Sequence, residues 1–179
     1  MSVSLSADLL DRARAVRVLV LDVDGVLTDG TLYYSSAGEE LKAFNIQDGL
    51  GIKMLREGGV EPAIVTGRSS RALELRAENL GIRHLYQGVE RKLGAFEHLL
   101  RELGLTAGQA ACMGDDLPDV PLLSRCALAV TVPEAPEILR ASAHYVTRRP
   151  GGRGAVREAC ELILEARGAL QAQLAPYLQ

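Results

Sequence analysis

The sequence predicts a single α/β domain built on a mainly parallel sheet. Apolar runs of strand length alternate along the chain with segments of helical periodicity, which is the pattern of βαβ units. The first such run, Val18–Leu21, is wholly apolar, as expected of a strand buried on both faces of a parallel sheet. A length of 179 residues suits one domain with a substantial core. We therefore expect one domain over residues 1–179.

The predicted elements follow one another in a regular order. A charged helix over about 6–16 precedes the first strand, and a β-hairpin over about 31–44 follows it, with two β-rich arms around Ser35–Gly38. A glycine-rich loop at 150–155 leads into the last helix, so that loop and helix together span about 150–168. We expect the later strands at Pro62–Val65, His84–Tyr86, Ala110–Met113, Leu128–Val132 and His144–Val146, and the helices at about Gly49–Glu57, Ser69–Leu80, Leu93–Leu103, 120–124, Pro136–Arg140 and Ala155–Arg167.

Composition and charge exclude several classes of partner. The formal net charge of −3 gives no indication of a nucleic acid or an acidic membrane surface as a partner. The chain contains neither a leader pattern nor an apolar run of membrane-spanning length, and we expect a cytoplasmic protein. Cys112, Cys126 and Cys160 are too widely spaced for a zinc site and odd in number for a disulfide framework. They are expected to be buried thiols in a reducing compartment.

Polar residues follow four predicted strands, at positions that converge on one edge of the sheet. Ligand sites in open α/β sheets lie at this carboxyl edge. Two carboxylates as close in sequence as the first pair repel each other unless a cation or a shared proton is present. In chain order the residues are Asp22 and Asp24, then Thr66, Gly67 and Arg68, then Lys92 at a helix start, then Asp115, Asp116 and Asp119.

This set of side chains suits a phosphoryl group beside a hard divalent cation. Magnesium binds carboxylate oxygens and substrate phosphate, and Asp22 and Asp115 can supply the carboxylates. A carboxylate nucleophile can take the phosphoryl group as an aspartyl-phosphate. Lys92 and the donors of 66–67 would stabilise the equatorial phosphate oxygens. Asp24 is placed to protonate the leaving oxygen and then to deprotonate the attacking water.

The series D-x-D-G-V-L-T-D, T-G-R, a lone lysine and G-D-D-x-x-D, in this order, resembles the four motifs of the haloacid dehalogenase superfamily of phosphatases. The resemblance implies a Rossmann-like three-layer α/β sandwich. It also implies that Asp22 is the nucleophile and Asp24 the general acid and base, while Thr66 and Lys92 stabilise the phosphate.

The same resemblance implies a magnesium cofactor and its ligands. Mg²⁺ would be bound by Asp22, by the backbone carbonyl of Asp24 and by Asp115. Asp116 and Asp119 would hold Lys92 and the metal shell in place.

The spacing of the motifs leaves no room for an inserted cap domain. Between Asp24 and Thr66 only the hairpin, one helix and one strand fit, and between Thr66 and Lys92 only one helix and one strand. A site without a cap stays open to water unless something else covers it. Either the substrate is a macromolecule, or a second subunit acts as the lid.

Nearly the whole chain after the first helix is similar to the 3-deoxy-D-manno-octulosonate 8-phosphate phosphatases. The stretches that carry the similarity are DGTLYYSSAGEELKAFNIQDGLGIK, VTGRSS, LYQGVERK and GGRGAVRE. This resemblance implies a small sugar phosphate substrate and a homotetramer in which the hairpins form a central barrel. Neighbouring subunits, including the C-terminal GG-x-G segment, would close the active site.

The resemblance also indicates which residues contact the substrate. Relatives that act on nine-carbon sugar acid phosphates tend to carry Glu in place of Arg68, so Arg68 and Arg76 favour the eight-carbon substrate. The other expected substrate-binding residues are Gly67, Asn45 and Asp48. Arg148, Arg149 and Arg153 either meet the sugar acid carboxylate across a subunit interface or form a solvated basic segment.

Several other functions are compatible with parts of this pattern. A phospho-receiver signalling domain also combines a carboxylate cluster with Thr and Lys, but its phosphorylated aspartate lies on a later strand than Asp22. A phosphatase of protein or nucleic acid would use the open site, although a basic, aromatic-rich face is missing from the sequence. A non-catalytic tetramerising module would not need both Asp22 and Asp24. A dehalogenase would not need Asp24 as proton donor, and a mutase of the same superfamily is a further alternative.

Overall fold

A six-stranded parallel sheet organises the molecule, whose computed structural model describes residues 6–38 and 40–178. The strands are β1 (Val18–Leu21), β2 (Tyr33–Tyr34), β3 (Glu40–Leu41), β4 (Glu61–Val65), β5 (His84–Tyr86), β6 (Ala110–Gly114), β7 (Leu128–Thr131) and β8 (Tyr145–Val146). The helices are α1 (Ala7–Ala15), α2 (Ile46–Glu57), α3 (Arg71–Leu80), α4 (Lys92–Leu103), α5 (Val120–Leu123), α6 (Glu137–Ser142), α7 (Ala155–Ala166) and α8 (Leu170–Leu174). Short 3₁₀ turns lie at Ala107–Gln109, Leu117–Asp119 and Ala175–Tyr177.

The central strand β1 lies at the point where the strand order reverses. The order in the sheet is β5-β4-β1-β6-β7-β8, so the chain leaves β1 on one side toward β4 and returns on the other side at β6. Leu21 pairs with Ile64 of β4 and with Met113 of β6. Ligand crevices in open α/β sheets form at such a reversal, outside the carboxyl ends of the strands. The residue that follows β1 is Asp22.

The α/β fold class predicted from the sequence is confirmed. All pairings in the large sheet are parallel, and each crossover between its strands carries a helix, which places helices on both faces. Helix α7 packs against α1 and α2, and α4 packs against α5. All four residues of β1 are fully buried, as its unbroken apolar sequence predicts. No helix within residues 6–38 and 40–178 is long and apolar enough to cross a membrane.

Two helices depart from the prediction. Helix α2 begins at Ile46 rather than at Gly49, because the Asn45 side chain caps it by accepting the N–H groups of Gln47 (2.7 Å) and Asp48 (3.4 Å). The glycines at 49 and 51 lower the helix propensity of this segment and obscure its start in the sequence. The short helix α8 lies in a C-terminal stretch where the sequence gives no helical signal.

The predicted hairpin exists, although its ladder is short. Tyr33 pairs with Leu41 and Tyr34 with Glu40 in an antiparallel two-stranded sheet, separate from the large one. We call residues 31–44 the flap. Its arms hold several exposed apolar side chains, and the chain passes from it directly into Asn45 at the start of α2.

Candidate active site

The loop after β1 brings Asp22 to the carboxyl edge of the sheet and then turns back on itself. The Asp22 N–H donates to the carbonyl oxygen of Met113 at 3.0 Å, which continues the pairing of β1 with β6. The N–H groups of residues 26, 27 and 28 all donate to the Val23 carbonyl oxygen, and the Thr28 hydroxyl accepts the N–H of Gly30 at 3.2 Å. This tight turn fixes Asp22 and Asp24 relative to the sheet.

Gly25 allows the loop to approach the second acidic motif. It has a φ of +87°, and a Cβ atom at this position would lie 2.0 Å from Oδ2 of Asp115. Both the left-handed backbone and the missing side chain are therefore required here. The close approach places Asp115 beside the loop that carries Asp22.

Lys92 is held between two carboxylates. It is the first residue of α4, and its buried Nζ lies 2.8 Å from Asp22 Oδ1 and 2.7 Å from Asp119 Oδ1. Oδ2 of Asp119 accepts the N–H groups of Asp115 (3.1 Å) and Asp116 (3.4 Å). Asp119 thus links the lysine to the loop after β6.

The carboxylates of Asp22, Asp115 and Asp119 form a cluster in which one oxygen from each lies within 4.8 Å of the other two. Burial, together with the charge of Asp119, raises the pKa of Asp22 to about 6, although Lys92 opposes the shift. Burial and the neighbouring carboxylates raise the pKa of Asp115 to about 7. The cluster therefore has more negative charge than Lys92 alone can balance.

A hard divalent cation fits this donor set. Asp119 already uses one oxygen for Lys92 and the other for backbone N–H groups, which leaves Asp22 and Asp115 as the carboxylates that are available to a metal. Oxygen donors of this kind suit Mg²⁺, which retains several waters and binds only a few protein carboxylates.

Asp24 faces two cations that come from different parts of the chain. Its Oδ1 forms an ion pair with Nζ of Lys42 in the flap, and its Oδ2 lies 3.7 Å from Nε of Arg68, in the loop after β4. Glu40 pairs with the same two cations, at 3.0 Å from Lys42 Nζ and in a close contact with Arg68. The Arg68 guanidinium also donates to the Tyr34 hydroxyl at 3.2 Å. Ion pairs therefore connect the flap to the loop that follows β1.

Sequence reasoning missed Lys42 and Glu40. No local pattern singles them out, because they lie in a hairpin arm whose position over the sheet edge is decided by tertiary packing. Lys42 is one of only three lysines in the chain, and its side chain is 4% exposed. Burial of a lysine with two carboxylate partners is the feature that identifies it in the structure.

Thr66 follows β4 at the same edge of the sheet. Its N–H donates to the Tyr86 carbonyl oxygen at 2.9 Å, and its buried hydroxyl accepts the N–H of Arg68 at 3.4 Å. Gly67 lies between them and leaves this turn without a side chain over the edge. The T-G-R segment therefore follows the strand beside β1, where the sequence places it.

Three expected substrate-binding residues have partners within the chain. Asn45 caps α2, and Arg76 donates to the Asn45 carbonyl oxygen at 2.9 Å while its guanidinium lies 5.9 Å from the centre of the Phe44 ring. Asp48 is fully buried, and its two oxygens accept the N–H groups of Gly154 (3.2 Å) and Arg157 (2.8 Å) at the start of α7. These contacts make Asp48 a cap of α7. Binding of substrate by Asn45, Asp48 and Arg76 stays a prediction.

Asp116 lies at the start of the turn that carries Asp119, and its expected role beside the metal stays a prediction. Its side chain accepts the N–H of Leu117 at 2.7 Å and so caps the 3₁₀ turn, whereas Lys92 is held by Asp119 and Asp22. Its contribution to the site is to fix the turn that carries Asp119.

The three arginines near the C-terminus point to different partners. Nε of Arg148 lies 3.3 Å from Glu158, Arg149 donates to the Gln47 side chain at 3.1 Å, and Arg153 lies 3.7 Å from Asp29. The side chains of Arg148 and Arg153 remain about 70% exposed. Their contact with a sugar acid carboxylate stays a prediction.

The glycine-rich segment, residues 150–155, packs against the loop that follows β1 in the same chain. A Cβ atom on Gly151 would lie 1.8 Å from the carbonyl oxygen of Gly25, and the N–H of Gly152 donates to the Val26 carbonyl oxygen at 2.9 Å. Between these loops lies a pocket of about 280 Å³, lined by Gly25, Asp29, Gly30, Asp115, Val132, Glu134, Pro150, Gly151 and Arg153. The expectation that this segment also covers a neighbouring subunit stays a prediction.

Comparison with known proteins gives a consistent result. Residues 86–157 match the model of a haloacid dehalogenase-like hydrolase family. The chain is 49% identical over 166 residues to the 3-deoxy-D-manno-octulosonate 8-phosphate phosphatase KdsC of Escherichia coli K12. This alignment covers 93% of this chain and 88% of that protein. The crystal structure of the corresponding phosphatase from Yersinia pestis superimposes with a TM-score of 0.91 at 50% identity, over 92% of this chain and 89% of that one.

A further solved structure has ligands. The 3-deoxy-D-manno-octulosonate 8-phosphate phosphatase from Moraxella catarrhalis, in complex with magnesium ion, phosphate ion and KDO, superimposes with a TM-score of 0.93 at 42% identity. The alignment covers 95% of this chain and 98% of that one.

Proposed function

The chain belongs to the 3-deoxy-D-manno-octulosonate 8-phosphate phosphatases of the haloacid dehalogenase-like hydrolases, and we propose that it hydrolyses this sugar phosphate to KDO and phosphate. The observation that carries the proposal is the cluster at the end of β1, where Lys92 lies 2.8 Å from Asp22 and Asp115 stands beside the same loop. Relatives of the same name, at 49% identity, support the substrate, and the Moraxella complex supports magnesium as the cofactor.

The first step transfers the phosphoryl group to Asp22. A carboxylate oxygen of Asp22 attacks phosphorus, and the bond from phosphorus to the sugar oxygen breaks as the new bond forms. Asp24 gives its proton to the leaving sugar oxygen, which departs as an alcohol. The turn formed by 23–28 holds the nucleophile and the acid in one rigid loop.

The second step returns Asp22 to its free form. Asp24, now a carboxylate, takes a proton from a water molecule whose oxygen attacks phosphorus, and the bond between Asp22 and phosphorus breaks to release phosphate. Lys92 and the donors of Thr66 and Gly67 stabilise the charge on the equatorial oxygens in both steps. Asp119 keeps Lys92 in place through its 2.7 Å contact.

Magnesium would be held by Asp22, by the backbone carbonyl of Asp24 and by Asp115. When bound, it supplies the positive charge that lets an anionic nucleophile approach an anionic phosphate. Burial and the neighbouring carboxylates raise the pKa values of Asp22 and Asp115, and the proximity of these carboxylates to each other supports such a site.

We further propose that the active enzyme is a cytoplasmic homotetramer in which neighbouring subunits cover the site. The exposed apolar side chains of the flap support an assembly through this hairpin. Cys112, Cys126 and Cys160 are buried and unpaired, which supports a reducing compartment.

A substrate panel with metal control tests the proposed function. Phosphate release is measured for 3-deoxy-D-manno-octulosonate 8-phosphate, for nine-carbon sugar acid 9-phosphates and for simple sugar phosphates, with Mg²⁺ and with excess EDTA. We expect the highest kcat/KM for the eight-carbon substrate and loss of activity in EDTA. A higher kcat/KM for a nine-carbon substrate would contradict the substrate while leaving the phosphatase chemistry intact.

A further inference from the structure

The flap places a buried lysine beside Asp24, in the loop that follows β1. Lys42 lies at the end of the second flap arm, and its side chain is only 4% exposed. Its Nζ forms an ion pair with Oδ1 of Asp24 and lies 3.0 Å from Oε1 of Glu40. A buried lysine needs carboxylate partners to offset its desolvation, and these two supply them.

The two cations beside Asp24 differ in exposure and in distance. Arg68 is 44% exposed, and its Nε lies 3.7 Å from Oδ2 of Asp24, so that its guanidinium remains accessible to a ligand. Lys42 is enclosed and in direct contact with Oδ1. Glu40 contacts both cations, which fixes their spacing across the carboxyl group of Asp24.

We propose that Lys42 is a positioning residue of the phosphatase reaction, which holds the Asp24 carboxyl group in the orientation from which it transfers a proton to the leaving oxygen. This inference rests on the proposed function of Asp24. A carboxyl group on a loop has rotational freedom about its side-chain bonds, and effective proton transfer requires hydrogen-bond geometry at the leaving atom. The contact with Lys42 removes that freedom at one oxygen, while the other oxygen lies 3.7 Å from the partly exposed Arg68.

The arrangement also makes the flap part of the active site rather than only a surface for assembly. Leu41, next to Lys42, pairs with Tyr33 across the hairpin, so the position of Lys42 depends on the folded flap. A change in the flap is therefore transmitted to Asp24 through one side chain.

Two substrates with different leaving groups distinguish a positioning role of Lys42 from a purely structural one. Alkoxide departure from the sugar phosphate needs a proton, whereas nitrophenolate departs from p-nitrophenyl phosphate without one. Because kcat/KM covers the steps up to departure of the alcohol, it reports proton donation by Asp24 separately from the later attack of water. General acid catalysis contributes roughly a hundredfold or more to such a step.

The experiment measures kcat/KM on both substrates for the wild type, Lys42→Met, Lys42→Arg and a control, Lys53→Met, in the second half of α2. We expect Lys42→Met to lose about a hundredfold on the sugar phosphate and only a few-fold on p-nitrophenyl phosphate. Lys42→Arg should recover part of the sugar phosphate activity because it restores a cation, and Lys53→Met should match the wild type on both substrates. An equal loss on both substrates, or no loss on either, would overturn the proposal.

A double-mutant cycle with Asp24→Asn gives a second criterion. If Lys42 acts through Asp24, adding Lys42→Met to Asp24→Asn lowers kcat/KM on the sugar phosphate no further. Additive losses would show that Lys42 acts elsewhere. Should Lys42→Met fail to fold, as judged by circular dichroism, Lys42→Gln replaces it in both comparisons, and Lys42→Arg remains the variant that restores the cation.

Failure of the proposed function has a different signature. In that case the wild type does not release phosphate from 3-deoxy-D-manno-octulosonate 8-phosphate, and Lys42 is then tested on the alkyl phosphate of the panel that the wild type hydrolyses fastest. A wild type that hydrolyses p-nitrophenyl phosphate but no alkyl phosphate would overturn both proposals.

Discussion

At the scale of single residues, Gly25 determines how closely the two acidic motifs approach each other. Its backbone has a φ of +87°, and the space that a side chain would fill is occupied by the Asp115 carboxylate. The distance between Asp22 and Asp115 therefore depends on a residue that has no chemical group of its own. In the sequence this glycine is simply the fourth letter of D-V-D-G.

We predict that Gly25→Ala abolishes magnesium-dependent phosphate release. A methyl group 2.0 Å from Asp115 Oδ2 must displace that carboxylate or the loop of Asp22. Gly104→Ala is the matched control, since Gly104 also has a left-handed φ, of +66°, but its Cβ would meet no atom within 4 Å. The control should lose about 1–2 kcal/mol of stability and keep its activity. Full activity of Gly25→Ala would contradict this account of the loop.

At the scale of elements, two carboxylates fix the position of α7 and of the loop before it. Asp48 of α2 caps the start of α7. Glu158, within α7, accepts the Tyr145 hydroxyl at 2.7 Å and the N–H groups of Arg148 (3.0 Å) and Arg149 (3.1 Å). The glycine-rich segment that packs against the loop after β1 lies between the residues held by Glu158 and those held by Asp48.

The anchor at Glu158 predicts a pH-dependent stability. Burial by itself would raise the pKa of Glu158, but hydrogen bonds from the Arg148 N–H, the Tyr145 hydroxyl and the Arg149 N–H hold the pKa below its usual value of 4.5. A carboxyl group whose pKa is lower in the folded than in the unfolded state stabilises the fold at any pH above its unfolded-state pKa. This contribution is lost as the pH falls through the folded-state pKa.

We therefore expect Glu158→Gln to lower the free energy of unfolding at pH 7 by about 1.5–3 kcal/mol, the range for hydrogen bonds to a charged group. The difference from the wild type should shrink as the pH falls below 4.5. Urea unfolding at pH 7, 5 and 4 measures it, with the solvent-exposed Glu165→Gln on the same helix as the control. A difference that stays constant with pH would contradict the charged role of Glu158.

The elements also show where sequence reasoning succeeds. The positions of Asp22, Thr66, Lys92 and Asp115 follow from strand ends, because parallel strands bring all their carboxyl ends to one edge whatever the helices between them do. Strands β1 and β5 have the predicted bounds, since each is flanked on both sides by polar residues. A local sequence pattern is sufficient to predict these site residues because the geometry of a parallel sheet brings the strand ends together.

Sequence reasoning fails where a side chain's partner lies far along the chain. Asp48 and Gly154 are 106 residues apart, and nothing near Asp48 in the sequence indicates that it caps α7. The partner of Arg76 is also distant in the sequence, since its guanidinium donates to the carbonyl oxygen of Asn45, 31 positions away. Lys42 was missed because it reaches Asp24 only when the flap folds over the sheet edge.

At the scale of the whole molecule, the exposed flap indicates how the site is covered. Tyr34 and Leu41 are about 60% exposed in the single chain, and Leu32 and Tyr33 more than 40%. Apolar side chains clustered on one hairpin are typical of an assembly surface. Since the motif spacing excludes a cap domain, neighbouring subunits are the proposed cover.

We predict a native mass of four chains by light scattering after size-exclusion chromatography. Leu41→Asp should shift the protein to smaller species and lower kcat/KM on the sugar phosphate, because burial of this apolar surface is replaced by the burial of a charge. Leu75→Asp, at an exposed leucine of α3, is the control and should leave the mass unchanged. A wild-type monomer with full activity would contradict the proposed cover.

The central claim is that Asp22 attacks phosphorus in a magnesium-dependent phosphatase, and the rate of phosphate release by Asp22→Asn tests it most directly. Asparagine keeps the size of the side chain but is a far weaker nucleophile, and Asp8→Asn on the exposed face of α1 is the matched control. On 3-deoxy-D-manno-octulosonate 8-phosphate with Mg²⁺, we predict that Asp22→Asn loses on the order of a thousandfold or more in kcat, while Asp8→Asn equals the wild type. Turnover by Asp22→Asn at the wild-type rate would contradict the account.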